Sequence, residues 1–436
     1  MEFVLFTVVL IVEIALAVYC LVTKQRHRKV KSLVRVTVFI VFVILTLLPG
    51  IEWSYSWIFC AGMLFLLAVT GMLPLIRQPK ADPRVFKRSA LVAKAILMLI
   101  VLTLAFAPVL LFPQYRLPEV TGEYPVATAV YTYTDKSRIE EFTDTGEHRH
   151  VNVEFWYPEQ TEGTYPLLVF SHGAYGISSS NTSTFTELAS HGYVVASIGH
   201  PYHSFYTESE DRKLTMISPD YFREFNNTNK DGIYTAEELY RIIQKWMKLR
   251  TDDMNLVIDS VMEIATKGNG PAVYRLIDPA KIGVFGHSMG GAASVWLGRQ
   301  RDDIGAVINL DAPLFSELRY DGEADDFTAA NEAYNIPLLN IYSDDVWRQL
   351  GKNSAYAANQ TAGQIFAEVY NVHFKGAKHL SLTDLPLYSP FLAYLLQGGK
   401  ADIDKYYCIE SMNQLVLQFF DYTLKGIGGF SPQATY

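Results

Sequence analysis

The residues of this chain best suited to chemistry are Gly286-His287-Ser288-Met289-Gly290-Gly291. They follow the apolar run Lys281–Phe285 and precede the small-residue, helix-compatible run Ala292–Leu297. A serine set between glycines in that context predicts a sharp strand-to-helix turn. Glycine, lacking Cβ, is what lets such a turn close. The serine hydroxyl is then held exposed at a strand end, placed to attack an acyl carbonyl. The plainer alternative is a glycine-rich turn whose serine caps a helix. What separates the two is whether the chain also supplies an acid, a base and donors for an oxyanion.

Candidates for each are present. An acyl-transfer site needs backbone N–H groups aimed at the developing oxyanion. One is expected from Met289, directly after the serine. A second is expected from the turn Ser171-His172-Gly173-Ala174-Tyr175-Gly176, at Ala174. Two apolar runs after the serine end in carboxylates, Val307–Asp311 and Ile341–Asp345, so spacing leaves Asp311 and Asp344 as rival acids. His379, on the loop after the last apolar run, is the expected base, and His373 is its rival. His172, His200 and His203 precede the serine and break the order serine, acid, histidine, so they are expected to line a pocket or a loop.

These residues need a frame. Strands are predicted over Val151–Tyr157, Leu167–Ser171, Tyr193–Ile198, Ile282–Phe285, Ala306–Leu310, Leu338–Tyr342 and Val369–Phe374. Helices are predicted over Thr184–Ser190, Ala236–Ala265, Ser288–Arg299 and Ile403–Lys425. Interleaved strands and helices imply an α/β class: a mostly parallel sheet with helices on both faces, in the α/β-hydrolase arrangement. In such sheets chemistry gathers at the C-terminal strand ends.

Before Pro113 the composition is different. Four apolar segments lie at about residues 3–22, 33–48, 54–76 and 90–112. The first, third and fourth are about 20 residues or longer, enough to cross ~30 Å of hydrocarbon at ~1.5 Å per residue, and the second is shorter unless all of Leu33–Val36 counts. Residues 1–112 are therefore read as a four-helix transmembrane domain and 113–436 as a catalytic domain, with an insertion around 203–235. Arg35 is expected to snorkel to the interface. Glu13 is expected to face the bundle interior or a partner. Trp53, Tyr55, Trp57 and Tyr115 fit interfacial anchors. Lys24, Arg26, Arg28, Lys29 and Lys31 make one connecting loop basic, and Arg77, Lys80, Arg84, Lys87 and Arg88 another; the loop between them has Glu52 and no Lys or Arg. The positive-inside rule then puts both basic loops in the cytoplasm and the catalytic part outside it, in a cell membrane. Residues 1–112 hold 12 Lys and Arg against 4 Asp and Glu, whereas the rest hold 25 against 41. An acidic catalytic part argues against nucleic acid as a partner. Cys20 and Cys60 lie in the apolar segments, leaving Cys408 without a partner for a disulfide or a cysteine metal site.

One loop has the spacing of a calcium site. Asn227, Asn229, Asp231, Ile233 (through its carbonyl), Thr235 and Glu238 fall at the ligand positions of an EF-hand, with Gly232 at the turn. A structural Ca²⁺ is the only cofactor this chain hints at, and the chemistry needs none. The competing reading is a capping box, Thr235 with Glu238, that starts a helix without any ion.

Several motifs together resemble the platelet-activating factor acetylhydrolase family, plasma and intracellular isoform II type, within the α/β-hydrolases. They are Phe170-Ser171-His172-Gly173, Leu188–Ala196, Gly286–Gly291, Leu310-Asp311-Ala312, and His379 followed by Ser381 and Asp384. The resemblance covers roughly Val151–Lys425. It implies an acid on the strand directly after the nucleophile strand, hence Asp311, and it implies Ala174 and Met289 as oxyanion donors. The added apolar domain and a polar insertion around Thr207–Asn229 depart from the family, so its short-acyl preference does not carry over. The expected function is a membrane-anchored serine ester hydrolase acting on a lipid or other acyl ester. The alternatives are a general carboxylesterase for small soluble esters and an inactive hydrolase fold that binds or senses.

Overall fold

A computed structural model describes residues 2–48, 51–76, 87–159, 162–268 and 270–436. They divide into two units, Met1–Arg116 with Tyr388–Leu392, and Leu117–Leu387 with Ala393–Tyr436. The composition break at Pro113 anticipates the first division only approximately, and gives no sign that Tyr388–Leu392 belongs with the helices.

The first unit holds helices α1 (Glu2–Thr23), α2 (Arg28–Leu47), α3 (Ile58–Ile76) and α4 (Arg88–Leu111). All four are long and apolar enough to cross a membrane. Leu5, Val9, Phe42, Leu64, Leu102 and Phe106 form their shared core. Arg35 and Glu13 find each other: Arg35 Nε and Nη2 donate to the two Glu13 oxygens at 2.7 and 2.8 Å. A bidentate pair neutralises both charges within the bundle, which is cheaper than burying either alone. Trp57 is no surface anchor: it is 1% exposed and packs on Phe42, whereas Tyr55 is 89% exposed. Of the second basic loop, Arg77, Lys80 and Arg84 lie outside the described residues.

The second unit is built on eight strands: β1 (Val126–Ile139), β2 (His148–Pro158), β3 (Tyr165–Ser171), β4 (Val194–Gly199), β5 (Ile277–His287), β6 (Ile304–Leu310), β7 (Leu338–Ser343) and β8 (Val369–Phe374). Their order is β1-β2-β4-β3-β5-β6-β7-β8. From β4 to β8 every pairing is parallel; β2 runs antiparallel to both β4 and β1. Strand alternation sends Leu167, Val169 and Val284 to one face and Leu168, Phe170 and Phe285 to the other. The first face is covered by helix α7 (Ala236–Lys267) and helix α8 (Met289–Gln300), the second by α5 (Thr182–Ser190) and α9 (Lys405–Phe420). Each fully buried Phe or Val in these layers contributes about 1.5–3 kcal/mol. The insertion folds as a small hairpin, Tyr206–Glu208 with Leu214–Met216, followed by helix α6 (Pro219–Thr228).

Candidate active site

Residues at the C-terminal ends of β3, β5, β6 and β7 converge. β5 ends at His287, and Ser288 turns the chain into α8 with φ 54° and ψ −128°, a backbone region that L-residues rarely occupy. Such a residue stores about 1–3 kcal/mol of strain. The glycines on either side are required. A Cβ on Gly286 would lie 2.6 Å from the Ser171 carbonyl oxygen, and one on Gly290 would lie 1.9 Å from it. Ser288 is half-buried, and among the described residues its hydroxyl makes no hydrogen bond. It therefore does not cap α8, which removes the plainer reading of this serine.

Asp311 follows β6, also at positive φ (62°), and is buried. Its N–H is tied to the Ile341 carbonyl. The turn is held by Asn309, whose side chain bonds both backbone groups of Ala312 and continues through Asn340 to Asn371, a ladder across β6, β7 and β8. The Asp311 carboxylate accepts from the Ser343 N–H at 2.6 Å, the Ser343 hydroxyl at 2.7 Å and His379 Nδ1 at 2.7 Å. Since a carboxylate accepts, Nδ1 carries the proton and Nε2 is left with its lone pair. The rival acid and rival base meet one another instead: His373 Nε2 bonds Asp344 at 2.7 Å, with Trp347 stacked on the imidazole. Asp344 also takes Arg348. Burial raises its carboxyl, but the bond from His373, then a Gly376 backbone bond and the Arg348 charge, outweigh burial and hold it below the usual range.

The loop carrying His379 is braced from three sides. Asp345 accepts its N–H at 3.1 Å, and His287 Nε2 donates to its carbonyl at 2.9 Å. Burial, and then the repulsion a charged His379 would exert, hold His287 down to about 3, so it stays neutral beside the base. Further along, the carboxylate of Asp384 accepts from the Ser183 N–H at 2.8 Å and from the Ser183 hydroxyl, capping α5. Burial pushes Asp384 up to about 7, only partly offset by those bonds.

The Ser171–Gly176 turn lies against this centre: a Cβ on Gly173 would meet that of Ser288 at 3.4 Å. Ala174 and Met289 are both buried, and among the described residues neither amide donates to a protein acceptor. Two amides without protein partners are open donors. Tyr221, from the insertion, reaches both residues: its hydroxyl donates to the Ala174 carbonyl at 2.5 Å and touches Met289 Sδ at 3.5 Å. His172, His200 and His203 are buried rather than lining an open pocket. Burial first, and the Arg250 charge next, keep all three neutral, with His200 lowered to about 3.

In the calcium-like loop the oxygens have other uses. Asn227 and Thr228 are still helical, and Asn227 Oδ1 takes the Lys230 ammonium at 3.1 Å. Thr235 and Glu238 close the capping box that starts α7. Among the described residues no group of three or more His, Cys, Asp or Glu is placed to hold a metal ion. The first and last of the loop's candidate ligands are thus already engaged, Asn227 by the Lys230 ammonium and Glu238 by backbone.

A mostly parallel sheet with a strained serine turn after β5, an acid after the next strand and a histidine after the last defines an α/β-hydrolase. The isoform II platelet-activating factor acetylhydrolase family matches residues 145–427, and the chain belongs to that family. The platelet-activating factor acetylhydrolase of Canis lupus familiaris is 24% identical over 60% of this chain and 58% of its own length. That of Bos taurus is 25% identical over 36% and 37%, and a cutinase of Thermobifida alba is 27% identical over the same shares. The chain thus spans less than two thirds of these relatives. The fold is also that of a ferulic acid esterase from Streptomyces cinnamoneus: TM-score 0.54, 20% identity, 73% of this chain and 96% of the other.

Proposed function

We propose that this protein is a membrane-anchored serine ester hydrolase that cleaves an acyl ester of a lipid. The observation that carries the reading is the 2.7 Å bond between buried Asp311 and His379 Nδ1, beside a strained serine turn and two open amides. Ser288 is the nucleophile. His379 Nε2 takes its proton as the hydroxyl attacks the ester carbonyl, and Asp311 fixes the tautomer and stabilises the imidazolium. The carbonyl oxygen becomes an oxyanion that the Ala174 and Met289 amides receive. His379 then returns the proton to the leaving alcohol, leaving an acyl-enzyme. Water, deprotonated by the same histidine, attacks that ester and releases the acid and free Ser288. The free enzyme has no Ser288–His379 hydrogen bond, and in such sites that bond often tightens only with substrate bound.

The family name and the four apolar helices support a lipid ester as substrate and a membrane as the protein's location. The basic loop Lys24–Lys31, with the acidic loop at Glu52, supports an extracytoplasmic catalytic unit. The test is an ester panel, from short nitrophenyl esters to phospholipids, offered to the full-length protein and to Ser288→Ala. Turnover of phospholipid by the wild type alone is expected. Turnover confined to small soluble esters would replace the lipid reading by a general carboxylesterase. Equal turnover by Ser288→Ala would remove the nucleophile.

A further inference from the structure

Beneath the Ser171–Gly176 turn lies a charge that the mechanism above does not use. Arg250, on α7, is fully buried, and among the described residues it makes no salt bridge with a carboxylate. Its Nη1 donates to the His172 carbonyl at 2.9 Å, and its Nη2 to the carbonyls of Gly173 at 3.2 Å and Ala174 at 3.3 Å. A guanidinium remains cationic in proteins. One buried cation thus binds three successive carbonyls of a single turn.

The Gly173 carbonyl belongs to the same peptide group as the Ala174 N–H. That carbonyl also accepts from His172 Nδ1 at 2.6 Å, while His172 Nε2 takes the Ser204 hydroxyl at 2.6 Å. With the Gly176 N–H at 3.2 Å, three donors meet on one carbonyl. The charged one, Arg250, polarises the peptide most and makes its N–H a stronger donor. Arg250 is itself aimed by a second chain. Asp253 accepts from His200 Nδ1 at 2.9 Å, His200 Nε2 takes the Ser171 hydroxyl at 3.0 Å, and Ser171 Oγ accepts from Arg250 Nη1 at 3.4 Å. Burial would raise Asp253, but Arg149, at 2.7 Å to each oxygen, and the bond from His200 overcome it and keep the carboxylate charged; Arg138 also bonds it. This Asp–His–Ser chain repeats the pattern of a catalytic triad, but Ser171 is fully buried and its hydroxyl is taken up by His200 and Arg250.

We propose that Arg250 is a positioning residue for the oxyanion site: it fixes the Ser171–Gly176 turn and strengthens the Ala174 N–H through the Gly173 carbonyl. The inference rests on the roles proposed above for Ser288 and Ala174. It predicts that Arg250 contributes where the oxyanion forms and little to ground-state binding.

The test is ester hydrolysis by full-length Arg250→Met, Arg250→Lys and Ser171→Ala, with active sites counted by fluorophosphonate titration, alongside inhibition by a trifluoromethyl ketone. That ketone becomes an alkoxide when a serine adds to its carbonyl, so its affinity reads the oxyanion site. Loss of a whole oxyanion donor costs about 10²–10³ in kcat, so a weakened one in Arg250→Met is expected to cost on the order of 10–100-fold. KM should stay near wild type, and ketone affinity should fall in step with kcat. Arg250→Lys should recover thermal stability but not ketone affinity, because one ammonium cannot span three carbonyls in a fixed fork. Ser171→Ala, which keeps the arginine, should lose a smaller part of both. A merely structural role would lower the count of titratable sites and leave kcat per site and ketone affinity intact, and that result overturns the proposal. If Arg250→Met does not fold, unchanged ketone affinity in Ser171→Ala overturns it. Activity surviving in Ser288→Ala would instead sink the nucleophile assignment on which both readings depend.

Discussion

Asp311→Asn is the substitution whose consequence can be worked atom by atom. One carboxylate oxygen faces the Ser343 backbone N–H at 2.6 Å, and that donor cannot turn away. An asparagine must therefore keep its oxygen there and put its NH₂ where the other oxygen was, facing the Ser343 hydroxyl and His379 Nδ1, both at 2.7 Å. The hydroxyl can rotate and accept. The imidazole can accommodate an NH₂ only by leaving Nδ1 bare, which moves its proton to Nε2, the atom that must receive the Ser288 proton. Holding the base in the wrong tautomer costs about 10⁴-fold in kcat, or about 5.5 kcal/mol of transition-state free energy. The fold should persist, since shape and most hydrogen bonds are kept. Initial rates on a short nitrophenyl ester, with the folded fraction checked by thermal unfolding, measure this. Asp344→Asn, whose carboxylate meets His373 instead, should leave kcat near wild type. A loss under about tenfold (1.4 kcal/mol) in Asp311→Asn, or a large loss in Asp344→Asn, would refute the assignment of the acid.

Asp384, pushed up to about 7, takes up a proton on folding, so the stability it contributes is complete below about pH 4 and is lost as pH rises through 7. Asp384→Asn mimics the protonated form and should stabilise the fold at pH 8 but not at pH 4, by at most about 4 kcal/mol at ~1.4 kcal/mol per pH unit; unfolding curves across that range check it. In the helical unit, Glu13→Gln leaves Arg35 without its bidentate partner and should destabilise the detergent-solubilised protein by about 3–5 kcal/mol, whereas removing both charges should recover much of the loss; a double-mutant cycle decides. Millimolar Ca²⁺ against chelator should leave the melting temperature unchanged, because Lys230 and the capping box already use Asn227 and Glu238; a clear rise with Ca²⁺ would restore the loop as an ion site.

Much of the frame is legible because its periodicities are strong. The buried parallel strands are continuous apolar runs, and α7 carries a helical stripe, Ile243, Trp246, Met247, Met254, Val257 and Ile258. Strand β1 is not legible: its Thr-Tyr alternation is half-buried at the sheet edge, so neither face is clearly apolar. At the site, sequence order narrows the acid to two strand ends, but pairing Asp311 with His379 and Asp344 with His373 is a fact of three dimensions. The supports are less legible still. Ser343, Asn309 and Asp345 carry no motif: Ser343 and Asp345 act through bonds to residues more than 30 positions away, and Asn309 through a local turn to Ala312 tied across the sheet to Asn340. Arg250 did leave a signal, a charged residue in the apolar stripe of α7, where burial requires partners. Its partners are backbone carbonyls, which no pattern of side chains reveals. The expectation that Trp57 is an interfacial anchor fails because composition places a residue at a helix end without saying which way it faces.

The central claim is that Ser288 is an activated nucleophile. A fluorophosphonate probe, applied to the full-length protein and mapped by peptide mass spectrometry, tests it most directly. The account predicts one labelled peptide, modified at Ser288, with labelling lost in Ser288→Ala and strongly slowed in Asp311→Asn. Labelling at another serine, or labelling of Ser288→Ala at the wild-type rate, would contradict it.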